Sequence, residues 1–379
     1  MMRPVDPKNE APLADRLEQK GFSRRDFVRL ATMAGAAVGL SPSFAADAAE
    51  AKKRPSVIWL HFQECTGCTE SLLRPEHPEI TEVILETISL DYHETLFAAA
   101  GHQIEAALKS AMKENAGKYV CVVEGAIPTR DNGIYCKVGG RTAMEIVEEV
   151  AGNSAAVIAL GSCASFGGIA AAEPNPTGAA GVPQIFKKKP VVTLPGCPAN
   201  PYNLLGVVLQ FVTYGTLPKL DALGRPIFAY GRTIHEDCPR RPHFDAGRFA
   251  EVFGDEGHRQ GFCLYKLGCK GPVTYANCSL KHFCDVDGAW PIGIGHPCAG
   301  CTEKEYAFRV PMFDTVPIAR PTPPDTYPPI LTEHRRPSAV SIGFGGAVVG
   351  AAIGAGVITA RKLSAEAKRD EKNDPGKEA

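Results

Sequence analysis

The sequence predicts a doubly wound parallel α/β domain over residues 55–220, and two patterns support this fold class. The first is a set of continuous Val, Ile and Leu runs, as expected for strands buried on both faces. These runs are SVIWLHF (56–62), YVCVVEG (119–125), AAVIALGSC (155–163) and PVVTLPGCP (190–198). The second is helical periodicity between the runs, in GHQIEAALKSAMKENAG and GGRTAMEIVEEVAGN, each of which closes with a glycine-containing turn.

Cysteines follow three of these four strands, in HFQECTGC, LGSCASFGG and LPGCPAN. The ligand site of a doubly wound sheet lies beyond the carboxyl ends of its strands, so we expect these loops to converge. Cys65, Cys68, Cys163 and Cys197 would then form a four-thiolate set, which suits a 4Fe-4S cluster. Zinc is an alternative. A Cys-x-x-Cys redox pair is another, although it leaves Cys163 and Cys197 without a role.

Composition excludes some functions. The chain has 379 residues, 44% hydrophobic content and a formal net charge of −1, so it has no basic excess that would favour nucleic acid. Its 13 cysteines are an odd number spread over most of the chain, unlike the framework of a small disulfide-stapled domain. Metal binding is therefore the leading use of these cysteines.

Residues 1–48 are interpreted as an export signal. The SRRDFVRLA sequence that begins at Ser23 resembles the twin-arginine signal, and an uncharged stretch (30–44) follows it. Ala46 and Ala48 predict cleavage nearby, whereas the alternative is a short amphipathic helix with paired arginines. The twin-arginine route carries folded proteins, which suits a chain that binds its metal before export.

A transmembrane helix is predicted over residues 338–360, which contain no charged side chain. At about 1.5 Å per residue these 23 residues would span roughly 34 Å, enough to cross a bilayer. Gly346, Gly350 and Gly354 fall on one helical face, which predicts close packing against an integral membrane partner. A glycine-rich buried helix or a mobile tail are the alternatives. The basic tail (361–379) predicts a cytoplasmic C-terminus with the main body on the opposite side.

Residues 221–310 have little periodicity, many Pro and Gly residues and seven of the cysteines. Bound clusters would help such a segment to hold its structure. A proline-dense linker (311–337) follows it and leads to the apolar span.

Two further ligand sets lie in this second half of the chain. One consists of His235, Cys238, Cys263 and Cys269, and its spacing is compatible with either zinc or a 4Fe-4S cluster. The other contains three cysteines, with Cys284 as a possible fourth, and three thiolates would suit a 3Fe-4S cluster. These three are Cys278, Cys298 and Cys301.

Several motifs, in order along nearly the whole chain, resemble one family. They are ECTGCTE, GSCASFGG, PNPTGA, PGCPANP, HEDCPRR, GFCLYKLGCKGP and WPIGIGHPCAGCTE. Together with the two ends of the chain, they are similar to the small subunit of membrane-bound, periplasm-facing NiFe hydrogenases of the uptake type. The resemblance implies a flavodoxin-like domain followed by an irregular iron-sulfur domain and a C-terminal transmembrane helix.

The resemblance also implies a role in splitting dihydrogen. The NiFe centre would lie in a separate large subunit, and electrons would leave through this chain to a cytochrome b-type or other quinone-linked membrane subunit. The implied proximal 4Fe-4S ligands are Cys65, Cys68, Cys163 and Cys197. The implied distal 4Fe-4S ligands are His235, Cys238, Cys263 and Cys269. The implied medial 3Fe-4S ligands are Cys278, Cys298 and Cys301, with Pro291 at the position of a fourth thiolate.

Three positions refine this interpretation. Oxygen-tolerant members of the family carry two extra cysteines near the proximal cluster, where this chain has Gly67 and Gly168. We therefore expect an ordinary proximal cluster and an enzyme that oxygen inhibits. Glu64 matches a family position proposed in proton transfer, although it could equally be a loop carboxylate or a helix N-terminal charge.

Two cysteines remain, and two other functions compete with this one. Cys121 is interpreted as a small core residue, and Cys136 is given no role. A stand-alone membrane-anchored ferredoxin-like carrier would contain no catalytic partner. A cluster-bearing subunit of a quinone-linked complex would share the proximal site but lack the other two ligand sets.

Overall fold

The computed structural model describes residues 54–318, apart from 284 and 285. Four predicted features lie outside these residues: the export signal (1–48), the transmembrane segment (338–360), the tail (361–379) and Cys284. The predicted linker lies outside them from residue 319 onward. Among the helices of residues 54–318, none combines the length and the apolar content needed to cross a bilayer.

A five-stranded parallel sheet forms the centre of the fold. Its strands are β1 (Ser56–His61), β2 (Ser89–His93), β3 (Val120–Glu124), β4 (Ala156–Leu160) and β5 (Val191–Leu194). The order across the sheet is β2-β1-β3-β4-β5, which is the 2-1-3-4-5 order of flavodoxin-like folds. The four predicted strands are confirmed. The edge strand β2 lies outside the apolar runs because its sequence, SLDYH, is partly exposed and polar.

Helices pack on both sides of this sheet, and the two that periodicity predicts are confirmed. The helices are α1 (Gly67–Leu72), α2 (Ile80–Glu82), α3 (His102–Glu114), α4 (Ala143–Gly152), α5 (Gly161–Phe166), α6 (Val182–Ile185), α7 (Pro201–Tyr214), α8 (Ile227–Tyr230), α9 (Arg241–Asp245) and α10 (Glu256–Arg259). Local chemistry sets their ends. The Thr142 hydroxyl and the Glu145 side chain form a capping box at the start of α4, and α7 ends at Gly215, whose φ is 67°.

Shorter elements connect these helices and strands. A π-helical turn spans Val83–Thr87, and 3₁₀ turns span Arg130–Gly133, Gly168–Ala171, Tyr265–Leu267 and Gly271–Val273. Two small antiparallel pairs join Ile127–Pro128 to Ala179–Ala180 and Lys137–Val138 to Arg141–Thr142.

The two faces of the sheet carry separate apolar cores. In β3, Val120 and Val122 lie in one core, whereas Cys121 and Val123 lie in the other. Burial on both faces explains why the strand sequences are continuously apolar rather than alternating. Cys121 is fully buried, in agreement with its interpretation as a core residue.

One of these cores also includes residues from the irregular second half of the chain. Tyr230, Ile234 and Trp290 pack in the same cluster as Leu204 of α7 and Trp59 of β1. From 221 to 310, the helices of the described residues are only three to five residues long. The irregular segment is thus held against the sheet domain by apolar packing.

Candidate metal sites

A cavity of about 110 Å³ lies beyond the carboxyl ends of β3, β4 and β5. Its lining includes two carboxylates, Glu64 and Glu124. It also includes the four cysteines of the strand-end set: Cys65, Cys68, Cys163 and Cys197. Cys65 and Cys197 are exposed, whereas the other two are half-buried, so the cavity opens to the surface.

Two of these cysteines lie in short helices rather than in the loops that the sequence suggests. Cys68 lies in the first turn of α1, and Cys163 lies in the first turn of α5. The chain turns sharply into both helices, through Thr66 with φ of 62° and Gly161 with φ of 84°. A Cβ atom at Gly161 would lie 2.6 Å from the Cys68 Sγ atom, so only glycine fits there without displacing the thiol.

The two glycines at the positions of the extra family cysteines also lie against thiols of this set. A Cβ atom at Gly67 would lie 3.1 Å from the Cys65 Sγ atom. At Gly168, where φ is 52°, it would lie 2.6 Å from the Cys163 Sγ atom. These glycines therefore leave the space beside two thiols open.

Glu124, the last residue of β3, is a site residue that the sequence patterns do not single out. The residue is only 2% exposed, and its carboxylate accepts hydrogen bonds from the backbone N–H groups of Cys68 (3.0 Å) and Thr69 (3.2 Å). It also accepts bonds from the Trp59 indole (3.2 Å) and the Thr69 hydroxyl (2.6 Å). Glu124 thus orients the helix turn that carries Cys68. In the sequence, Glu124 differs from its neighbours only as a carboxylate at the end of an apolar run.

Burial raises the pKa values of the thiols in this set. The pKa of Cys68 is raised first by burial and then by the Glu124 carboxylate. Burial raises the pKa of Cys163 to about 11 and also raises that of Cys197, which the nearby Cys65 raises further. Several thiolates in so small a space need a compensating positive charge. The iron of a cluster bound by thiolates would supply it, so the four cysteines fit such a group.

The second set surrounds a small cavity in the irregular segment. Its four members line this cavity together with Arg240 and Ile292: His235, Cys238, Cys263 and Cys269. Burial and the neighbouring Arg241 lower the pKa of His235 to about 4, so its imidazole is neutral near pH 7. The His235 Nε2 atom is buried without a hydrogen-bond partner, which fits a nitrogen that would ligate a metal.

The three thiols of this second set are buried. Burial raises the pKa values of Cys238 and Cys263 to about 12, and it also raises that of Cys269. The Arg240 guanidinium acts on all three thiols and donates to the Phe262 carbonyl at 3.0 Å. As in the first set, thiolates here would require bound positive charge.

The third set is Cys278, Cys298 and Cys301. Burial raises the pKa values of Cys278 and Cys301 to about 12 and about 11, and it raises that of Cys298 well above its usual value. The three thiols interact electrostatically with one another. Pro291 is exposed, and its place beside these thiols stays a prediction.

This third set lies between the other two. On one side, the Cys301 thiol interacts electrostatically with Cys197 of the first set. On the other side, the Cys298 N–H donates to the Cys269 Sγ atom at 3.4 Å. Ser162 strengthens the first connection, since its hydroxyl donates to the Cys301 carbonyl and accepts from the Gly196 N–H. The three sets therefore form one continuous row.

Within residues 54–318, apart from 284 and 285, no three or more His, Cys, Asp or Glu side chains have the close spacing required by a single metal ion.

Similarity to known proteins extends over nearly the whole chain. A family model described as NADH ubiquinone oxidoreductase, 20 Kd subunit, matches residues 65–211. Another, which describes the C-terminal part of the NiFe/NiFeSe hydrogenase small subunit, matches residues 230–314. The chain is 50% identical over 364 residues to the Hydrogenase-2 small chain of Escherichia coli (strain K12), covering 95% of this chain and 98% of that protein. The chain belongs to the NiFe hydrogenase small-subunit family.

Other hydrogenase small subunits are similar over shorter ranges. The Periplasmic NiFe hydrogenase small subunit 1 of Nitratidesulfovibrio vulgaris is 48% identical, over 77% of this chain and 93% of that protein. The Quinone-reactive Ni/Fe-hydrogenase small chain of Wolinella succinogenes is also 48% identical, over 76% of this chain and 83% of that protein. Among solved structures, a chain of the NiFeSe hydrogenase from Desulfomicrobium baculatum matches with a TM-score of 0.66 and 36% identity, covering 70% of this chain and all of that one. As a hydrogenase small subunit, this protein is part of an enzyme and has a role consistent with electron transfer.

Proposed function

We propose that this protein passes electrons through three iron-sulfur clusters, from a NiFe centre in its large subunit to an acceptor in the membrane. The observation that carries this proposal is the row of ligand sets, joined through Cys197 and Cys301 at one end and through Cys298 and Cys269 at the other. Clusters bound along such a row would each accept and release electrons. Oxidation of one dihydrogen molecule releases two protons and two electrons, and this chain would carry the electrons.

The proposed ligands follow the three sets. Cys65, Cys68, Cys163 and Cys197 would hold the proximal 4Fe-4S cluster. His235, Cys238, Cys263 and Cys269 would hold the distal 4Fe-4S cluster. Cys278, Cys298 and Cys301 would hold the medial 3Fe-4S cluster. The exposed thiols of the first set support its assignment to the surface that faces the large subunit.

Metal analysis of the purified complex tests the cluster assignment. Two 4Fe-4S clusters and one 3Fe-4S cluster predict about eleven iron atoms in the small subunit. The NiFe centre of the large subunit adds one, so the complex of the two subunits should contain about twelve irons and no zinc. The oxidised protein should also show the EPR signal of a 3Fe-4S cluster. If that signal is missing and about thirteen irons are found per complex, the medial cluster has a fourth ligand, for which Cys284 is the first candidate to replace.

Protons need a separate route, and we propose that Glu64 belongs to it. Its side chain lines the cavity that contains the first ligand set, and its Oε1 atom lies 3.5 Å from the His61 Nδ1 atom. The carboxylate is mostly buried, at 12% exposure, which favours this role over that of an exposed loop carboxylate. The His61 ring contacts the His93 ring at a centroid distance of 4.5 Å, so titratable groups continue away from the cavity.

Replacing Glu64 with Gln tests this role. Gln keeps the size of the side chain but cannot exchange a proton near neutral pH, so hydrogen-oxidation turnover should fall while the cluster EPR spectra stay unchanged. Unchanged turnover would remove Glu64 from the proton route.

We further propose that the proximal cluster is of the ordinary four-cysteine type and that oxygen inhibits the enzyme. The basis is that Gly67 and Gly168 replace the two extra cysteines of oxygen-tolerant relatives. Activity measured under hydrogen with added oxygen should therefore stop rapidly. Sustained turnover in oxygen would contradict this proposal.

The proposed location is the periplasmic face of the membrane, after export of the folded chain by the twin-arginine route. Similar proteins include one named periplasmic and one named quinone-reactive. The apolar segment (338–360) would anchor the chain in lipid and present Gly346, Gly350 and Gly354 to a cytochrome b-type or other quinone-linked subunit. Leucine at these three glycines should release that subunit during detergent purification. Its retention would contradict the assignment.

The competing functions make different predictions. Co-purification of a nickel-containing large subunit would exclude a stand-alone electron carrier. The alternative, a cluster-bearing subunit of a quinone-linked complex, has support only from the family match over residues 65–211. The hydrogenase match over residues 230–314 and the second and third ligand sets argue against it.

A further inference from the structure

A fully buried lysine lies between the second and third ligand sets. Lys270 has 0% exposure and directly follows Cys269 in the GCKGP sequence. Its Nζ atom donates to the backbone carbonyls of Pro311 (3.0 Å) and Met312 (2.9 Å), with the Gly268 carbonyl at 3.5 Å. Neutral carbonyl oxygens thus cap the ammonium group.

Contacts along the whole residue place it beside the third set. The Lys270 N–H donates to the Cys298 carbonyl at 2.8 Å. Its aliphatic stem passes Gly300, where a Cβ atom would lie 3.4 Å from the Lys270 Cβ and Cδ atoms. Gly300 stands between Cys298 and Cys301, so the stem runs along the segment that carries two of the third-set thiols.

The positive charge of this lysine is not neutralised by a neighbouring carboxylate among the described residues. The groups that act on it electrostatically are Cys298, Asp314 and Cys269, and Asp314 is exposed. No carboxylate of the described residues pairs with the ammonium group at salt-bridge distance. A buried charge is costly unless it is paired, since its hydration is lost. Negatively charged clusters bound by Cys298 and Cys269 would balance the positive charge of Lys270.

We propose that Lys270 is the counter-charge of the medial and distal clusters and raises the midpoint potential of the medial cluster. This proposal rests on the cluster assignment made above. Reduction adds negative charge to a cluster, and a fixed positive charge nearby stabilises the reduced state. The effect is greater on the medial cluster because the Lys270 N–H bonds the Cys298 carbonyl and its stem runs along Gly300, between Cys298 and Cys301.

A redox titration followed by EPR tests this proposal on the intact complex of small and large subunits. The variants are Lys270→Met and Lys270→Gln, which remove the charge, and Lys270→Arg, which keeps it. Lys266→Met is the matched control, because Lys266 is an exposed cation in the same loop and pairs with Glu251. We expect a lower medial potential in K270M and K270Q only, with K270R and K266M close to the wild type.

The possible results separate the alternatives. A wild-type complex without a medial cluster signal would overturn the cluster assignment itself. If the wild type shows the signal and K270M has the same medial potential, Lys270 is only a structural tie to the carbonyls of residues 311 and 312, and the proposal is wrong. If K270M and K270Q fold but lose the medial cluster while K270R retains it, the charge is required and the proposal stands. Loss of the cluster in K270R as well would overturn it.

Discussion

Arg225 forms a buried ion pair that joins the start of the irregular segment to the residues that carry the third ligand set. Its side chain is 6% exposed and contacts two carboxylates, Asp221 at 2.7 Å and Glu303 at 2.6 Å. It also donates to the Thr302 carbonyl at 3.1 Å. Because Glu303 follows Cys301 by two residues, this contact holds the third ligand set in place.

Replacing Arg225 with Met would leave Glu303 nearly buried, at 12% exposure, without its cation. Glu303 would retain only weaker partners such as the Tyr275 N–H at 2.8 Å. Removing one member of a buried pair costs about 3–5 kcal/mol. At about 2 °C per kcal/mol, the lower end of the range for domains of about 150–250 residues, the unfolding midpoint should fall by about 6–10 °C.

The exposed pair of Arg74 and Glu70 provides a matched control. Its members are 64% and 56% exposed and lie 3.1 Å apart, so Arg74→Met should cost only about 0–1 kcal/mol. Thermal unfolding of the complex at a single scan rate measures both variants, since such unfolding is often irreversible. In the double variant R225M/E303Q, no buried carboxylate is left unpaired, and much of the loss should be recovered. A shift in R225M no larger than that in R74M would refute the argument.

Two further predictions concern acid stability and iron content. Burial and the neighbouring His61 lower the pKa of His93 from 6.5 to about 3, so its stabilising contribution is complete above about pH 6.5 and is lost as the pH falls toward 3. His93→Gln should therefore reduce the fall in unfolding midpoint between about pH 6.5 and 4.5. His102→Gln, at an exposed position, should not change it. Equal falls in the wild type and both variants would contradict this prediction. Gly161→Ala should lower the iron content by about four atoms per chain, because its Cβ atom would meet the Cys68 thiol at 2.6 Å. Gly215→Ala is the control, because Gly215 also has a positive φ but a Cβ atom added there would meet no other atom within 4 Å. Equal iron contents in the two variants would exclude the clash with the Cys68 thiol as the cause.

Much of the fold and the first ligand set can be predicted from local sequence. The apolar runs mark four strands because each is buried on both faces, and parallel strands bring their carboxyl ends to one edge. Cys65, Cys68, Cys163 and Cys197 follow three of those ends, so their convergence needs no knowledge of side-chain packing. Edge strand β2 escapes the same reasoning, since a partly exposed strand has no continuous apolar run.

The residue types of all three ligand sets, and the strand ends that carry the first set, are encoded locally along the chain. The arrangement of the sets depends on tertiary packing, because the irregular second half of the chain has no periodicity from which distances follow. Only packing brings Cys301 to Cys197 and Cys298 to Cys269. The same holds for Glu124 and Lys270, whose importance depends on burial, and burial is a property of the folded chain rather than of a local pattern.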